Sequence, residues 1–355
     1  MINRPDYIEA IEPFIDKPLV KILAGVRRCG KSTIFEMLKE EFLRRGISED
    51  HIISKRYTEM DIPENITAKQ MYDELLEAMK GKDHCYLLLD EIQEIDGWEK
   101  AVNSLLEGAD ADIYVTGSNS KLMSSEISTY LTGRYVSIPV YTLSFKEYLD
   151  FKADSTLSRK ELLEEYIRFG GFPIIALSEY DEQSAYQIVN GIYHTVVSRD
   201  IVKRHRINKQ DLFDRVVKYI IENMGKTFSA NSISTFLKSE HRKVSVESIY
   251  NYLRWLEQAL IIYPCERYDL QGKSILKTQE KYYLADVSLK YALLGYNRKM
   301  LDGAMENIVY LELKRRGYDV YIGKNDTKEI DFVATRRDER IYVQVCVRIP
   351  EASDR

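Results

Sequence analysis

Apolar positions in the first third of the chain come as short runs separated by stretches of helical spacing. Residues 18–24, PLVKILA, form an apolar run ahead of a glycine-bearing loop and predict a buried strand. Over 31–45 the period lengthens, with Ile34, Leu38 and Phe42 on one helix face. HIISKRY (51–57) predicts a second strand and AKQMYDELLEAMK (68–80) a helix. CYLLLDE (85–91) is a strongly apolar strand ending in two acids. GWEKAVNSLLEG (97–108) is a helix with Trp98, Val102 and Leu105 on its core side. ADIYVTGS (111–118) and RYVSIPV (134–140) predict two further strands. Strands alternating with helices imply crossover connections and a mostly parallel sheet, with any site at the strands' carboxyl ends.

After about residue 144 the pattern changes. SFKEYLDF, SRKELLEEYIRF and EQSAYQIVNGIYHTVVSRDIVKRH read as helices, with few strand signals before 260. Residues 229–260 predict two helices, SANSISTFLKS and SVESIYNYLRWLEQA. The second starts at a capping-competent Ser245 and repeats Ile249, Leu253, Leu256 and Leu260. A strand-like LIIYPCERYDLQGKSILKTQEKYYLAD follows, with Gly272 at a turn. Helix, helix, hairpin is the order of a winged helix-turn-helix. A last helix over 302–316 precedes strands near 318–323, 329–335 and 340–348. There is no internal repeat and no low-complexity linker.

At 355 residues the length prior is two or three domains. A net charge of −5 excludes a strongly basic whole-protein footprint for nucleic acid and leaves room only for a local patch. Cys29, Cys85, Cys265 and Cys346 lie far apart and form no C-x-x-C pair. That argues against a zinc ribbon or disulfide scaffold and leads us to expect a cytoplasmic protein. MINRPDYIEAIEPFI contains acids and no uninterrupted apolar segment, so no signal peptide is expected. No apolar run approaches the roughly 18 residues of a membrane helix.

The candidate chemistry begins at GVRRCGKS, Gly25 to Ser32, which matches G-x-x-x-x-G-K-[ST]. Gly25 and Gly30 permit backbone dihedrals that turn amides toward a phosphate. Lys31 reaches the β- and γ-phosphates, Ser32 offers a hydroxyl to Mg²⁺, and the helix starting there points its positive end at the anion. The candidate nucleotide contacts are Gly25, Val26, Arg27, Arg28, Cys29, Gly30, Lys31, Ser32 and Thr33, with ATP and Mg²⁺ as cofactors. In YLLLDEIQEI (86–95), Asp90 is the candidate to hold Mg²⁺, directly or through water, and Glu91 the candidate to activate the attacking water. In YVTGSNS (114–120), either Ser118 or Asn119 is placed to orient that water. Arg134 in LTGRYV is a candidate to stabilise transition-state charge, either in cis or from a neighbouring copy. Cys29 is either a small residue that fits the loop or a point of oxidative inhibition.

The set GVRRCGKS, YLLLDE, TGSNS, LTGR and TLSFKEYL resembles the AAA+ superfamily ATPases of bacteria and archaea that pair an AAA domain with a DUF4143 domain. RFGGFP (168–173) and SRDIVKRHRI (198–207) are similar to that family too, so the likeness runs over most of the chain. The resemblance implies an α/β P-loop ATPase core over 1–150, a helical lid over 151–224, a winged helix-turn-helix over 225–290 and a C-terminal α+β restriction-endonuclease-like domain over 291–355. It implies ATP hydrolysis but no pathway. Within GGFP, Pro173 either offers a rigid face to an adenine or simply follows a glycine helix terminator.

Two accessory functions follow. RDIVKRHR (199–206), HRK (241–243), Tyr252 and Arg254 are candidates for phosphate contact, which makes DNA a candidate partner beside ATP and ADP. A PD-(D/E)xK nuclease needs an acid on a helix, an acid on a strand, and an acid-x-lysine on the next strand. Glu306 and Asp331 supply the first two, but Gln344 is neutral and Cys346 stands where the lysine belongs. Arg348 is a poor substitute because arginine does not give up its proton. Relatives usually continue for several more elements, so this domain is expected to be degenerate and incomplete. The leading expectation is an ATP-hydrolysing protein that couples nucleotide state to lid and winged-helix movement, either as a single copy or as a homo-oligomer, and with no membrane partner. The alternatives are a nucleotide-gated switch with slow turnover and an ATP-dependent nuclease.

Overall fold

A computed structural model describes residues 2–346 except 59–61, 64, 124–126, 128–129, 208, 243, 270–274, 298–300 and 326–327. Gly272, Lys243 and Arg348 lie outside the described residues. Two compact units divide between Val140 and Tyr141.

The first unit is built on a five-stranded sheet. Its strands are β1 (Val20–Ala24), β2 (Ile52–Arg56), β3 (Cys85–Asp90), β4 (Ala111–Gly117) and β5 (Tyr135–Pro139). The order is β2-β3-β4-β1-β5 and every pairing is parallel. Each apolar run of the sequence therefore becomes a strand, as a parallel sheet covered on both faces requires. Helix α1 (Pro5–Ile11) precedes the sheet, and α2 (Lys31–Arg44) follows β1 with Ile34, Leu38 and Phe42 fully buried. The helix α3 (Ala68–Met79) starts at a Thr67–Gln70 capping box. With α4 (Trp98–Gly108) it covers one sheet face, where Trp98, Val102 and Leu105 meet Leu87, Leu89, Ile113 and Val115. This connectivity brings the carboxyl ends of β1, β3 and β4 together.

The second unit opens with helices α5 (Phe145–Phe151), α6 (Arg159–Phe169), α7 (Pro173–Ala176) and α8 (Glu182–Val196). Ser144 with Glu147 and Ser158 with Glu161 form capping boxes that set the first two starts. A π-helical segment, Val197–Lys203, extends α8. Helices α9 (Gln210–Glu222), α10 (Ala230–Ser239) and α11 (Val246–Gln258) follow, α11 being capped by Ser245 as its sequence predicts. The hairpin β6 (Ile262–Asp269) and β7 (Ile275–Leu284) comes next. The chain continues through α12 (Ser288–Leu294), α13 (Leu301–Arg315), β8 (Asp319–Asn325), β9 (Lys328–Arg336) and β10 (Glu339–Val343).

Here the structure corrects the expected division. The hairpin does not stand apart as a wing. It belongs to one five-stranded sheet with the tail, in the order β10-β9-β8-β6-β7. β8 runs parallel to β6, pairing Arg267 with Ile322 and Tyr268 with Gly323. The reason is that β6 has an outer edge that needs a partner, and β8 satisfies it. A shared core of Cys265, Tyr283, Tyr310, Leu311, Ile322 and Phe332 joins hairpin, helix and tail. Tyr283 and Tyr310 stack with ring centroids 4.5 Å apart. No described helix is long and apolar enough to cross a membrane.

Candidate nucleotide site

The phosphate loop leaves β1 and enters α2 directly. Gly30 takes φ +104° and Arg28 takes φ +66°, so these two positions provide the left-handed turns. Gly25 has a different reason to be glycine. A Cβ there would lie 2.1 Å from the Val140 carbonyl oxygen and 2.7 Å from Cys29 Sγ. Its part in the loop is close packing rather than an unusual dihedral. Val26 and Cys29 are buried, whereas Arg28 and Thr33 are exposed. Arg27 pairs with Glu94 at 3.4 Å. Burial pushes the Cys29 thiol up, against the pull of Lys31 and Arg4, which disfavours its thiolate form.

Lys31 is 3 % exposed. Its Nζ donates to the carbonyls of Gly25 at 2.9 Å and Val26 at 3.3 Å, and lies 3.6 Å from Glu91 Oε1. Ser32 Oγ donates to Asp90 Oδ2 at 2.7 Å. Thr116 Oγ1 bonds Asp90 Oδ1, and Arg56 Nε reaches Oδ2 at 3.0 Å. The loop and the β3 acids thus form one connected polar cluster. The oxygens of Ser32 and Asp90 are the hard donors that suit Mg²⁺.

Glu91 sits just past β3 in a left-handed conformation, φ +55°, with its amide donating to Thr116 Oγ1 at 3.0 Å. Burial pushes its carboxyl up, but Lys31, Gln93, Arg27 and Ser118 outweigh burial and hold it below the ordinary carboxylate range. Gln93 Nε2 donates to Glu91 Oε2 and lies 3.4 Å from Ser118 Oγ, which itself donates to Glu91 Oε2 at 3.3 Å. Ser118 and Asn119 are both buried at the end of β4, and it is Ser118 that touches Glu91. Gln93, Thr116 and Arg56 escaped the sequence reading. Gln93 stands inside the quoted acidic motif, and the 3₁₀ turn Ile92–Glu94 folds it back. Gly117 makes room for it, since a Cβ there would lie 2.2 Å from Gln93 Oε1.

Arg134 does not join this cluster. Its carbonyl accepts from Val20 N at 3.0 Å, so it flanks the start of β1 while the phosphate loop leaves the end. Five residues at the strand rise put roughly 16 Å between the two ends. The Arg134 guanidinium is held by Glu107 at 2.5 Å and Asn103 at 3.0 Å. A cis role at the γ-phosphate is therefore corrected, because both the position and the pairing oppose it.

Pro173 opens the four-residue helix α7 in the second unit. The glycines before it have a packing role. At Gly170, φ +76°, a Cβ would lie 1.8 Å from Asp286 Oδ1, and at Gly171 it would lie 2.4 Å from the Leu143 carbonyl oxygen. Gly171 N donates to Asp286 Oδ2 at 2.8 Å. Of the basic candidates, His205 stacks on Trp255 with centroids 4.4 Å apart and Arg242 pairs with Asp211, while Arg254 is exposed.

The tail residues do converge, around a cation that the sequence reading missed. Asp331 Oδ2 accepts from Gln344 Nε2 and from Val345 N, both at 2.7 Å. Glu306 Oε2 accepts from Tyr283 at 3.1 Å and Lys281 at 3.4 Å, and Lys281 lies 2.7 Å from Glu329 Oε1. Burial works against the Lys281 charge, but Glu329, Glu306 and Asp331 outweigh it and raise its pKa. Lys281 thus brings an ammonium from β7 to these acids, while Cys346 is exposed.

A protein-family model described as an AAA domain matches residues 17–149. An uncharacterized protein of Haemophilus influenzae is 37 % identical over 354 residues, which cover 99 % of this chain and 88 % of that protein. The chain belongs to this family of AAA-domain proteins. Another member, an uncharacterized protein of Methanocaldococcus jannaschii, is 32 % identical over 94 % of this chain and 76 % of its own length. Residues 160–299 of this family member match a domain of unknown function, DUF8612, in place of the DUF4143 domain that the resemblance implied. In fold, the AAA-domain chain is similar to a Walker-type ATPase of Pyrococcus abyssi, with a TM-score of 0.57, 14 % identity, and coverage of 82 % of this chain and 96 % of that one. The α/β fold with a five-stranded parallel sheet is that of a P-loop ATPase.

Proposed function

We propose that the protein binds Mg-ATP on residues 25–33 and hydrolyses it. The observation that carries this is the joining of the two motifs, Ser32 to Asp90 and Lys31 to Glu91, across the ends of β1 and β3. Main-chain amides of the loop and the first turn of α2 receive the phosphates, and Lys31 meets the charge on the β- and γ-oxygens. Ser32 and Asp90 are the residues to hold Mg²⁺, whose chemistry is to neutralise charge between the phosphate oxygens. Glu91 stays ionised and orients the attacking water, with Gln93 and Ser118 fixing its carboxylate. Lys31→Ala should abolish nucleotide binding, and Glu91→Gln should keep binding but lose turnover. If wild-type protein shows no affinity for Mg-ATP in calorimetry, the proposal is wrong.

One observation favours a second outcome, a slow nucleotide-gated switch. Glu91 is tied to Lys31, Gln93 and Ser118 and held more acidic than an ordinary carboxylate, which weakens it as a base. Turnover well below one per minute with retained nucleotide would select this reading. A contribution from Arg134 then requires a neighbouring copy, so a homo-oligomer is part of the proposal. DNA is carried as a proposed partner through Arg254 and the basic residues of 199–206. Titration of labelled duplex with and without ATP tests it. No contact of Pro173 with adenine is needed by this reading.

A further inference from the structure

Arg4 is only 2 % exposed, yet it lies outside every motif that drew attention in the sequence. Its Nη1 donates at 2.8 Å to the carbonyl oxygen of Cys29, inside the phosphate loop and 25 residues away. Its Nη2 donates at 3.3 Å to the Tyr7 hydroxyl, and the guanidinium sits 4.5 Å from the Tyr7 ring centroid. Tyr7 is itself buried on α1, so the arginine is held at both ends. Arg4 and Lys31 both act on the Cys29 side chain as positive charges, which places two cations around this one turn of loop.

The geometry matters because a peptide unit is planar. In a trans peptide the carbonyl and the following N–H point in opposite directions, and there is no cis bond among the described residues. A guanidinium that pulls the Cys29 carbonyl toward itself turns the Gly30 N–H away from itself. Gly30 is the last residue before α2, at φ +104°, where a peptide is otherwise free to flip. A hydrogen bond from a charged donor opposes such a flip strongly.

We propose that Arg4 is a positioning residue of the phosphate loop. By holding the Cys29 carbonyl, it fixes the 29–30 peptide so that the Gly30 N–H faces the bound phosphate. Arg4 touches the loop and not the ligand, and it makes the N-terminal segment part of the nucleotide site. This rests on the nucleotide reading above.

The test uses the full chain with Arg4→Met and Arg4→Lys, measuring ATP affinity, the KM and kcat for hydrolysis, and the Gly30 amide resonance. Arg4→Met should weaken ATP binding about tenfold or more, the loss expected for a charge-assisted hydrogen bond. The loss should fall on KM, with kcat at saturating ATP kept within about threefold, and Arg4→Lys should recover part of it. The Gly30 amide should shift in both variants before nucleotide is added. A folded Arg4→Met with wild-type ATP affinity overturns the inference. Should Arg4→Met fail to fold, Arg4→Lys decides: an unmoved Gly30 amide together with unchanged affinity overturns it equally. Absence of ATP binding by the wild type instead sinks the nucleotide reading itself.

Discussion

The Ser32 hydroxyl donates a 2.7 Å hydrogen bond to the Asp90 carboxylate across 58 residues of chain. This bond holds the start of α2 against the end of β3 and brings two oxygen donors together. Ser32→Ala and Asp90→Asn should therefore leave metal-free ATP affinity almost unchanged. Each should remove most of the gain that Mg²⁺ brings, about tenfold or more. Calorimetric titration of ATP with and without Mg²⁺ measures it, and equal losses under both conditions would contradict the assignment.

Glu91→Gln should retain ATP binding and lower single-turnover hydrolysis by about 100-fold or more. The wild-type carboxyl is held below its ordinary range, so it is already ionised at neutral pH. A depressed carboxyl contributes stability above its unfolded pKa and loses it as pH falls through the lower folded value. Hydrolysis should accordingly show no ionisation of this group between about pH 6 and 8. A steep rise in rate over that interval would point to another base.

Arg134→Ala should leave nucleotide affinity intact, because Arg134 and the phosphate loop lie at opposite ends of β1. Its pair with Glu107 is half exposed and screened by solvent, so it adds little to stability. Any effect should appear only in the part of the ATPase rate that grows with protein concentration. A lowered ATP affinity in dilute Arg134→Ala would refute the placement.

Glu257, near the end of α11, has its carboxyl pushed up to about 7, first by burial and then by Glu280, with Arg254 opposing. A folded pKa above the unfolded one means that the native state holds the extra proton. Stability is then fully present at acid pH and falls as pH rises toward 7. Glu257→Gln should be nearly neutral at pH 5 and stabilising by about 1–3 kcal/mol at pH 8. Denaturant midpoints for the two proteins at both pH values decide it.

The first unit was legible because its signals are local. GVRRCGKS and YLLLDE carry their chemistry in consecutive residues, and a strand buried on both faces shows itself as an unbroken apolar run. What stayed hidden depends on contacts between distant residues. Thr116 reads as an interior strand residue until the order β3-β4 puts it beside Asp90. Gln93 reads as a solvated turn residue until the 3₁₀ turn folds it onto Glu91. The sequence leaves Arg134 open between its own nucleotide and a neighbouring copy's, and only strand direction shows that it lies at the far end of β1 from its own phosphate loop. Lys281 had no signal at all, because one lysine in a polar strand is ordinary until three carboxylates surround it. Gly170 and Gly171 were visible as a motif, but their partner Asp286 stands 115 residues beyond Gly171.

The parallel pairing of β6 with β8 also limits how this chain can be divided. Cutting near residue 290, where the sequence suggests a boundary, would strip β6 of its neighbour. The released piece would display a bare row of amides and carbonyls beside aromatic side chains, a ready template for sticking to further copies of itself. The segment after residue 290 thus acts as a cover for the hairpin before it, and the two have to be made and kept as one piece.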